Sequence, residues 1–320
     1  MRVVMMGTGI FAEPTLEMLL QRPGLCVGLF TQPDRDTGER RGSTRQTGRG
    51  MKTIAQAHGL PVYQPESINT PEGVALLAGL QPDLCVIAAY GQILKPEVLA
   101  VPPLGCINVH ASLLPKYRGA APINWAIYHG ETETGVTIFQ LTTGVDTGDI
   151  LAQTRIAIGP EDTAGDIEAR LAPLGARLAL ECIDALASGT ATRTKQDDSL
   201  ASRAPKLKKE DGQIDWTRSA AQINAHVRAM QPWPTAYTYW RRSGTEPLRL
   251  IVQKTRVTDL TTHEQPGTIL NHLECLRVAV GQGQILEVLD LQPAGKPRMS
   301  AADFLRGRRW QPGDTLGANA

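Results

Sequence analysis

The sequence predicts two domains, an α/β domain built on a parallel sheet followed by a mostly β domain of the small-barrel kind. Three observations carry this. The chain has 320 residues, more than one hydrophobic core ordinarily serves. In the first half, short apolar runs alternate with helix-like segments, which is the pattern of strands covered by helices on both faces. In the second half the pattern changes to short strand-like runs separated by turns, which suits a small barrel.

Arg2 to Met6 is an apolar, β-rich run stopped by glycine, a buried-strand signal. A helix is expected over Ala12 to Leu20 and a strand over Leu25 to Thr31. Residues 34–52, rich in Gly, Arg and Thr, read as a basic loop. Helix (Met51 to His58), strand (Leu60 to Tyr63), helix (Pro71 to Leu80) and strand (Leu84 to Ala89) then alternate, and Cys106 to His110 is a further strand. Val136 to Leu141 and Asp149 to Ile158 form two strands joined by the loop Thr142 to Gly148. Thr163 suits a helix N-cap, with Asp166 three residues on. Ile167, Leu171, Leu174, Leu178 and Cys182 then mark an amphipathic helix that should stop at Gly189, with Pro173 as its kink residue. Thr190 to Pro205 is polar and unpatterned and reads as a linker. The division is therefore a first domain of residues 1–189, a linker of 190–205 and a second domain of 206–320. In the latter, a short helix near Ser219 to Met230 precedes strands at Ala236 to Trp240, Leu248 to Val257, Leu276 to Val280 and Gln284 to Leu291. Gly281-Gln282-Gly283 supplies the turn between the last two.

Composition narrows the function classes. Hydrophobic residues make up 42% and charged residues 20%, as in a soluble globular protein. The first residues carry too short an apolar run for a secretory signal, and the longest apolar stretch, Leu84 to Tyr90, cannot span a bilayer. A cytoplasmic protein with no membrane partner is expected. The five cysteines, Cys26, Cys85, Cys106, Cys182 and Cys275, are scattered without metal-site spacing and read as free thiols. No metal is called for. The formal net charge is +1, so any nucleic-acid ligand must be met by local patches.

The chemistry gathers at Cys106-Ile107-Asn108-Val109-His110. Side chains alternate along a strand, so Asn108 and His110 face the same way near its carboxyl end, where ligand crevices form in open α/β sheets. A carboxamide can hold a developing oxyanion and an imidazole can move a proton at neutral pH. Asp146, in Gly144-Val145-Asp146-Thr147-Gly148, sits in a loop tight enough to carry a carboxylate inward, where it would orient the imidazole. From spacing alone, a satisfied strand histidine and ordinary turn chemistry are the favoured reading.

The run Asn108-x-His110-x-Ser112-Leu113-Leu114-Pro115, continued by Tyr117-Arg118-Gly119-Ala120-Ala121-Pro122 and by the distant Asp146-Thr147-Gly148, resembles the signature of the 10-formyltetrahydrofolate-dependent formyltransferases. Thr31-Gln32-Pro33-Asp34-Arg35, Ala89-Tyr90-Gly91, Gly135-Val136-Thr137, Ile214-Asp215-Trp216, Pro232-Trp233-Pro234 and Leu291-Gln292-Pro293-Ala294-Gly295-Lys296 are similar to the branch that formylates initiator methionyl-tRNA. The resemblance runs from the first strand nearly to the last. It implies a Rossmann-like formyltransferase domain and an OB-like barrel that helps hold tRNA. It implies Asn108, His110 and Asp146 as the catalytic trio, with 10-formyltetrahydrofolate as donor and no metal. Ser112, Leu113, Leu114 and Pro115, with Tyr90 and Gly91, would line the folate site. Arg35, Arg40, Arg41, Arg45 and Arg49 of the basic loop, with Lys206 of the second domain, would contact tRNA. The partners implied are initiator methionyl-tRNA and a reduced folate; apart from the resemblance, nothing in the sequence demands more than a monomer.

Other signals compete. Gly7-x-Gly9-x-x-Ala12 after a strand fits a dinucleotide fingerprint, but Glu13-Pro14 interrupts the helix start that would hold a pyrophosphate. A tight strand-to-helix turn is the favoured reading. Lys116 and Arg118 are candidates for a folate's glutamate tail or for plain solvation. Lys116-Tyr117-Arg118-Gly119 and Asn124-Trp125 are also similar to the branch that formylates an amino sugar nucleotide. Hydrolysis of the formyl folate without an acceptor is a third outcome of the same trio. A tRNA-binding module with an inactive formyltransferase fold is the alternative outside catalysis.

Overall fold

The computed structural model describes residues 1–34, 48–270, 275–308 and 310–318. The chain forms two compact units. One comprises Met1–Ile123, Glu133–Ile158 and Asp166–Pro205, the other Asn124–Thr132, Gly159–Gly165 and Lys206–Ala320. The longest stretch of the second unit begins at Lys206. Two short stretches from the first half of the sequence also belong to that unit.

As far as residue 205 the chain runs through β1 (Val3–Gly7), α1 (Glu13–Leu20), β2 (Cys26–Phe30), α2 (Met51–Ala57), β3 (Val62–Tyr63), α3 (Pro71–Gly79), β4 (Leu84–Ala88), α4 (Pro96–Leu99) and β5 (Cys106–His110). It continues through β6 (Arg118–Gly119), α5 (Pro122–Tyr128), β7 (Glu133–Gln140), β8 (Ile150–Ala157), α6 (Ala164–Ala187) and β9 (Arg203–Ala204). The main sheet has the order β3-β2-β1-β4-β5-β7-β8. Strands β1 to β5 pair in parallel as expected. β7 and β8 add an antiparallel end: β7 runs against β5, and β8 against β7 because the link between those two is too short for a crossover helix. Every residue of β1 and β4 is buried, which is why both read as unbroken apolar runs. α6 is a single helix through the exposed Pro173.

Residues 190–205 are not a free linker. Thr194 exchanges both backbone hydrogen bonds with Ile150, at 2.8 and 2.9 Å, and β9 pairs in parallel with β6. The segment shows no hydrophobic period because the fold engages it through hydrogen bonds of its backbone and polar side chains.

The second unit holds α7 (Ala220–Ala229), β10 (Ala236–Arg241), β11 (Leu248–Thr261), β12 (Ile269–Leu270), β13 (Leu276–Val280), β14 (Gln284–Pro293), β15 (Met299–Ser300), α8 (Ala301–Gly307) and β16 (Thr315–Gly317). Its sheet is antiparallel in the order β12-β13-β14-β11-β10-β16, with β15 on β14. The two ends meet, since Thr268 bridges Thr315 and the Leu316 N–H donates to the Gly267 carbonyl at 2.7 Å. The sheet thus nearly closes into the expected barrel. α7 begins at a capping box of Ser219 and Gln222. The Gly281-Gln282-Gly283 turn carries Gln282 at φ 62°. Among the described residues, no helix is long and apolar enough to cross a membrane, and no group of three or more His, Cys, Asp and Glu is placed to hold a metal ion.

Candidate active site at the end of the fifth strand

β5 presents Asn108 half-buried and His110 buried at its carboxyl end. The His110 Nε2 lies 3.0 Å from the Tyr117 carbonyl oxygen. A carbonyl can only accept, so Nε2 carries the proton in that bond and Nδ1 is the nitrogen left to exchange one. Nδ1 faces Asp146, with Oδ2 at 3.7 Å. That is too long for a hydrogen bond and close enough for strong Coulomb coupling in a buried setting. Asn108 makes no side-chain hydrogen bond among the described residues, which leaves its carboxamide available to a ligand.

Asp146 sits at φ 52°, a left-handed conformation that Asp tolerates better than most residues. The Gly119 N–H donates to its Oδ2 at 2.7 Å. Glycine at 148 is required for the tight loop, because a Cβ there would strike the Gln140 carbonyl. Gly119 is required as well, since its φ is +130° and a Cβ would strike the Ala204 carbonyl. Tyr117 to Gly119 thus touches both other members of the site, holding His110 through a carbonyl and Asp146 through an N–H.

The loop after β5 is pinned from β7 and β8. The buried Thr137 hydroxyl donates to the Ser112 carbonyl at 2.6 Å and accepts from the Leu114 N–H at 3.1 Å. Gln153 donates to the same hydroxyl at 2.9 Å and to the Leu114 carbonyl at 2.8 Å. Of the residues expected to line a folate site, Leu113 and Pro115 are half-buried and present apolar surface. Ser112 does not line a surface: it is fully buried and its hydroxyl donates to the Lys116 carbonyl at 2.7 Å. Leu114 is buried too, because the loop turns it inward. Tyr90 belongs to the apolar core with Phe30, Ile68 and Leu77, its hydroxyl without a partner and its pKa pushed up to about 12 by burial. Gly91 beside it is exposed at φ +84°.

The glycine fingerprint resolves as packing. A Cβ on Gly7 would meet the Ala12 Cβ at 2.8 Å and the Ala88 carbonyl at 3.0 Å. The start of α1 is occupied by Glu13, whose carboxylate accepts from the Gly50 N–H at 2.8 Å and the Arg49 N–H at 3.2 Å. A carboxylate there opposes a pyrophosphate by like charge. An open cavity of about 450 Å³ lies against Glu13, Glu168 and Pro173. Burial raises the pKa of Glu168, and none of the Asn108, His110 and Asp146 side chains reaches that cavity.

Of the basic residues expected to meet nucleic acid, Arg35, Arg40, Arg41 and Arg45 lie outside the described residues. Arg49 is paired with Glu17, and Lys206 is exposed. Arg118 is not a free cation for a folate tail, since its guanidinium binds Gln196 and Asp198. Gln196 was invisible in the sequence: it lies in the unpatterned stretch and gave no signal of period or motif.

An amide, an imidazole and a carboxylate at the carboxyl end of a Rossmann-like sheet, in a chain that also carries a small antiparallel barrel, define a two-domain group-transfer enzyme. Residues 1–183 match the Formyl transferase family and residues 206–309 match the Formyl transferase C-terminal domain family. A methionyl-tRNA formyltransferase of Geobacter sulfurreducens is 45% identical over 318 residues, which is 99% of this chain and 97% of the relative. One from Geobacter metallireducens is 46% identical over 316 residues, 98% of each. Among solved structures, an N-formyltransferase from Helicobacter canadensis superposes with a TM-score of 0.66 at 18% identity, covering 89% of this chain and 98% of that one. Methionyl-tRNA formyltransferase from Clostridium thermocellum superposes at 0.55 and 17% identity, covering 81% and 94%. The chain belongs to the formyl transferase family.

Proposed function

We propose that this protein transfers a formyl group from 10-formyltetrahydrofolate to the α-amine of initiator methionyl-tRNA, for translation initiation in the cytoplasm. The observation that carries the reading is the 45% identity with a methionyl-tRNA formyltransferase over nearly the whole of both chains, because it includes the barrel as well as the catalytic half. The residues present fit a folate donor. Leu113 and Pro115 offer apolar surface to a flat heterocycle, and among the described residues neither the Asn108 carboxamide nor Nδ1 of His110 is engaged by a hydrogen bond.

When bound, the donor supplies an activated formyl carbon. The attacking amine must shed one proton and the departing folate nitrogen must gain one. His110 can accept and return that proton through Nδ1, since the Tyr117 carbonyl fixes Nε2 as a donor. Asp146 lies 3.7 Å away and balances the charge while the imidazole holds the proton. Asn108 donates an N–H to the oxyanion that develops on the formyl oxygen, so Asn108→Ala should lower turnover by roughly 10²–10³. Residues 206–320 and the basic loop hold the tRNA, through phosphate contacts by Lys206, Arg35, Arg40, Arg41, Arg45 and Arg49. Binding should therefore weaken steeply as salt rises.

The test is formyl transfer to initiator methionyl-tRNA beside elongator methionyl-tRNA, an amino sugar nucleotide and no acceptor. Strong preference for the initiator is expected. Equal or better turnover with the sugar, or acceptor-independent hydrolysis, would overturn the assignment of the acceptor while leaving the chemistry of the trio.

A further inference from the structure

The loop that carries Asp146 is braced by Gln196, which among the described residues makes no hydrogen bond to Asn108 or His110. Gln196 is 6% exposed. Its Nε2 donates to the backbone carbonyl of Asp146 at 2.9 Å and to that of Gly148 at 2.7 Å. Its Oε1 accepts from Arg118 Nε at 3.1 Å and from Nη2 at 2.8 Å. Both ends of the carboxamide are thus in use, and the Arg118 fork leaves one orientation in which the amide nitrogen points at the loop. Arg118 is itself steadied by Asp198 at 2.7 Å.

The loop needs such a brace. Asp146 sits at positive φ, and in an isolated loop that conformation competes with relaxed alternatives. Among the described residues its carboxylate has one N–H partner, from Gly119, next to Arg118 in the chain. A single two-residue segment, Arg118-Gly119, therefore fixes the Asp146 side chain directly and its backbone through Gln196. The segment is anchored in turn by pairing with β9, which begins seven residues after Gln196, and by the Arg118 N–H, which donates to the Ser202 carbonyl at 2.8 Å. The stretch that looked like a linker is what completes the site.

We infer that Gln196, oriented by Arg118, is a positioning residue for the formyl-transfer step, setting the distance and angle of the Asp146 carboxylate to His110. The inference rests on Asp146 acting in the site as proposed. The folate-side loop is pinned by a separate network, Thr137 with Gln153, so loss of the brace should spare donor binding.

The experiment is a double-mutant cycle on the full chain. Gln196→Met keeps length and removes all four hydrogen bonds. Gln196→Glu keeps the shape and the Arg118 pair but cannot donate to the two carbonyls. Each should lower kcat by roughly 10–100-fold, the scale on which sub-ångström to ångström misplacement acts, with KM for the folate donor held within about threefold. In an Asp146→Asn background, Gln196→Met should lower kcat by no more than about threefold further, because residues that act through one another are non-additive. A full multiplication of the two effects, with Asp146→Asn itself strongly impaired, would overturn the positioning role alone. So would unimpaired kcat in both Gln196 variants. Near-normal kcat in Asp146→Asn would overturn the reading of the site and the positioning role with it. Thermal unfolding of every variant separates these results from loss of the fold, and where Gln196→Met does not fold, Gln196→Glu carries the same cycle.

Discussion

Thr137→Val tests how tightly the loop beside the site is held. The change is nearly isosteric and keeps a β-branched residue in the middle of β7, so neither cavity nor strand propensity confuses the result. What it removes is the hub hydroxyl. The Ser112 carbonyl loses its donor at 2.6 Å and the Leu114 N–H loses its acceptor at 3.1 Å. Gln153 can still donate to the Leu114 carbonyl, so two backbone groups are orphaned. Each costs about 1–3 kcal/mol when buried without a partner, and the sum is about 3 kcal/mol allowing for partial relaxation. For a unit of this size that corresponds to a fall in Tm of about 10 °C. Urea unfolding followed by far-UV circular dichroism gives the energy, because all five tryptophans lie in the other unit, and steady-state transfer gives the catalytic consequence. Leu113 and Pro115 ride on the pinned loop, so KM for the folate should rise several-fold. A loss under about 1 kcal/mol with KM unchanged would show that the network does not hold the loop.

Three further outcomes follow from the structure. Gly119→Ala should abolish most activity, by more than about 100-fold, and destabilise the first unit by about 2 kcal/mol or more. The added Cβ meets the Ala204 carbonyl and the residue is held at φ +130°; wild-type-like kinetics would refute the link from Gly119 to Asp146. His226 is held neutral: burial lowers its pKa to about 4 from 6.5, against the opposing hydrogen bond from its Nε2 to the Asp211 carbonyl. A depressed histidine pKa means that the unfolded chain takes up the proton first. Stability is full above pH 6.5 and falls between there and pH 4, by about 2 kcal/mol at pH 5. Urea titrations at pH 7 and 5 should show that loss, and in His226→Gln it should disappear; the same slope in the variant would refute the assignment. Finally, Cys85, Cys106, Cys182 and Cys275 are buried and Cys26 is half-buried, with burial raising Cys26, Cys182 and Cys275 to about 11. A colorimetric thiol reagent at pH 8 should therefore titrate the native protein slowly and the denatured protein rapidly, and prompt native reaction would refute the burial argument.

The elements that were legible in the sequence are those whose signal is local. β1 and β4 are apolar runs because both faces of the parallel sheet are covered, and α6 follows the three-and-four spacing of its buried face, unbroken at Pro173. Asn108 and His110 share a face because alternation along a strand is geometry, whatever the strand packs against. The glycines around Asp146 announced a tight loop because only glycine tolerates the close approach at 148. The family resemblance extended that reading to the chemistry of the trio.

What the tertiary structure alone decided is the set of relations across long separations in the chain. β6 and β9 are two-residue strands, too short for any pattern, and they exist because each offers the other's backbone a partner some 80 residues away. Ser112 and Tyr90 matched motif positions yet turned inward, since the fold needed a loop anchor and a core aromatic there. The closure of the barrel through Gly267, Thr268 and Thr315 joins sheet ends that no window of sequence sees together. Above all, Gln196 lay in a stretch without hydrophobic period, because its work is done by one carboxamide binding two carbonyls and one guanidinium. The sequence by itself determined which side chains could do the chemistry, through alternation and turn chemistry. Only folding determined what holds Asp146, because hydrogen-bond partners 50 and 78 residues apart are chosen by packing and leave no periodic trace.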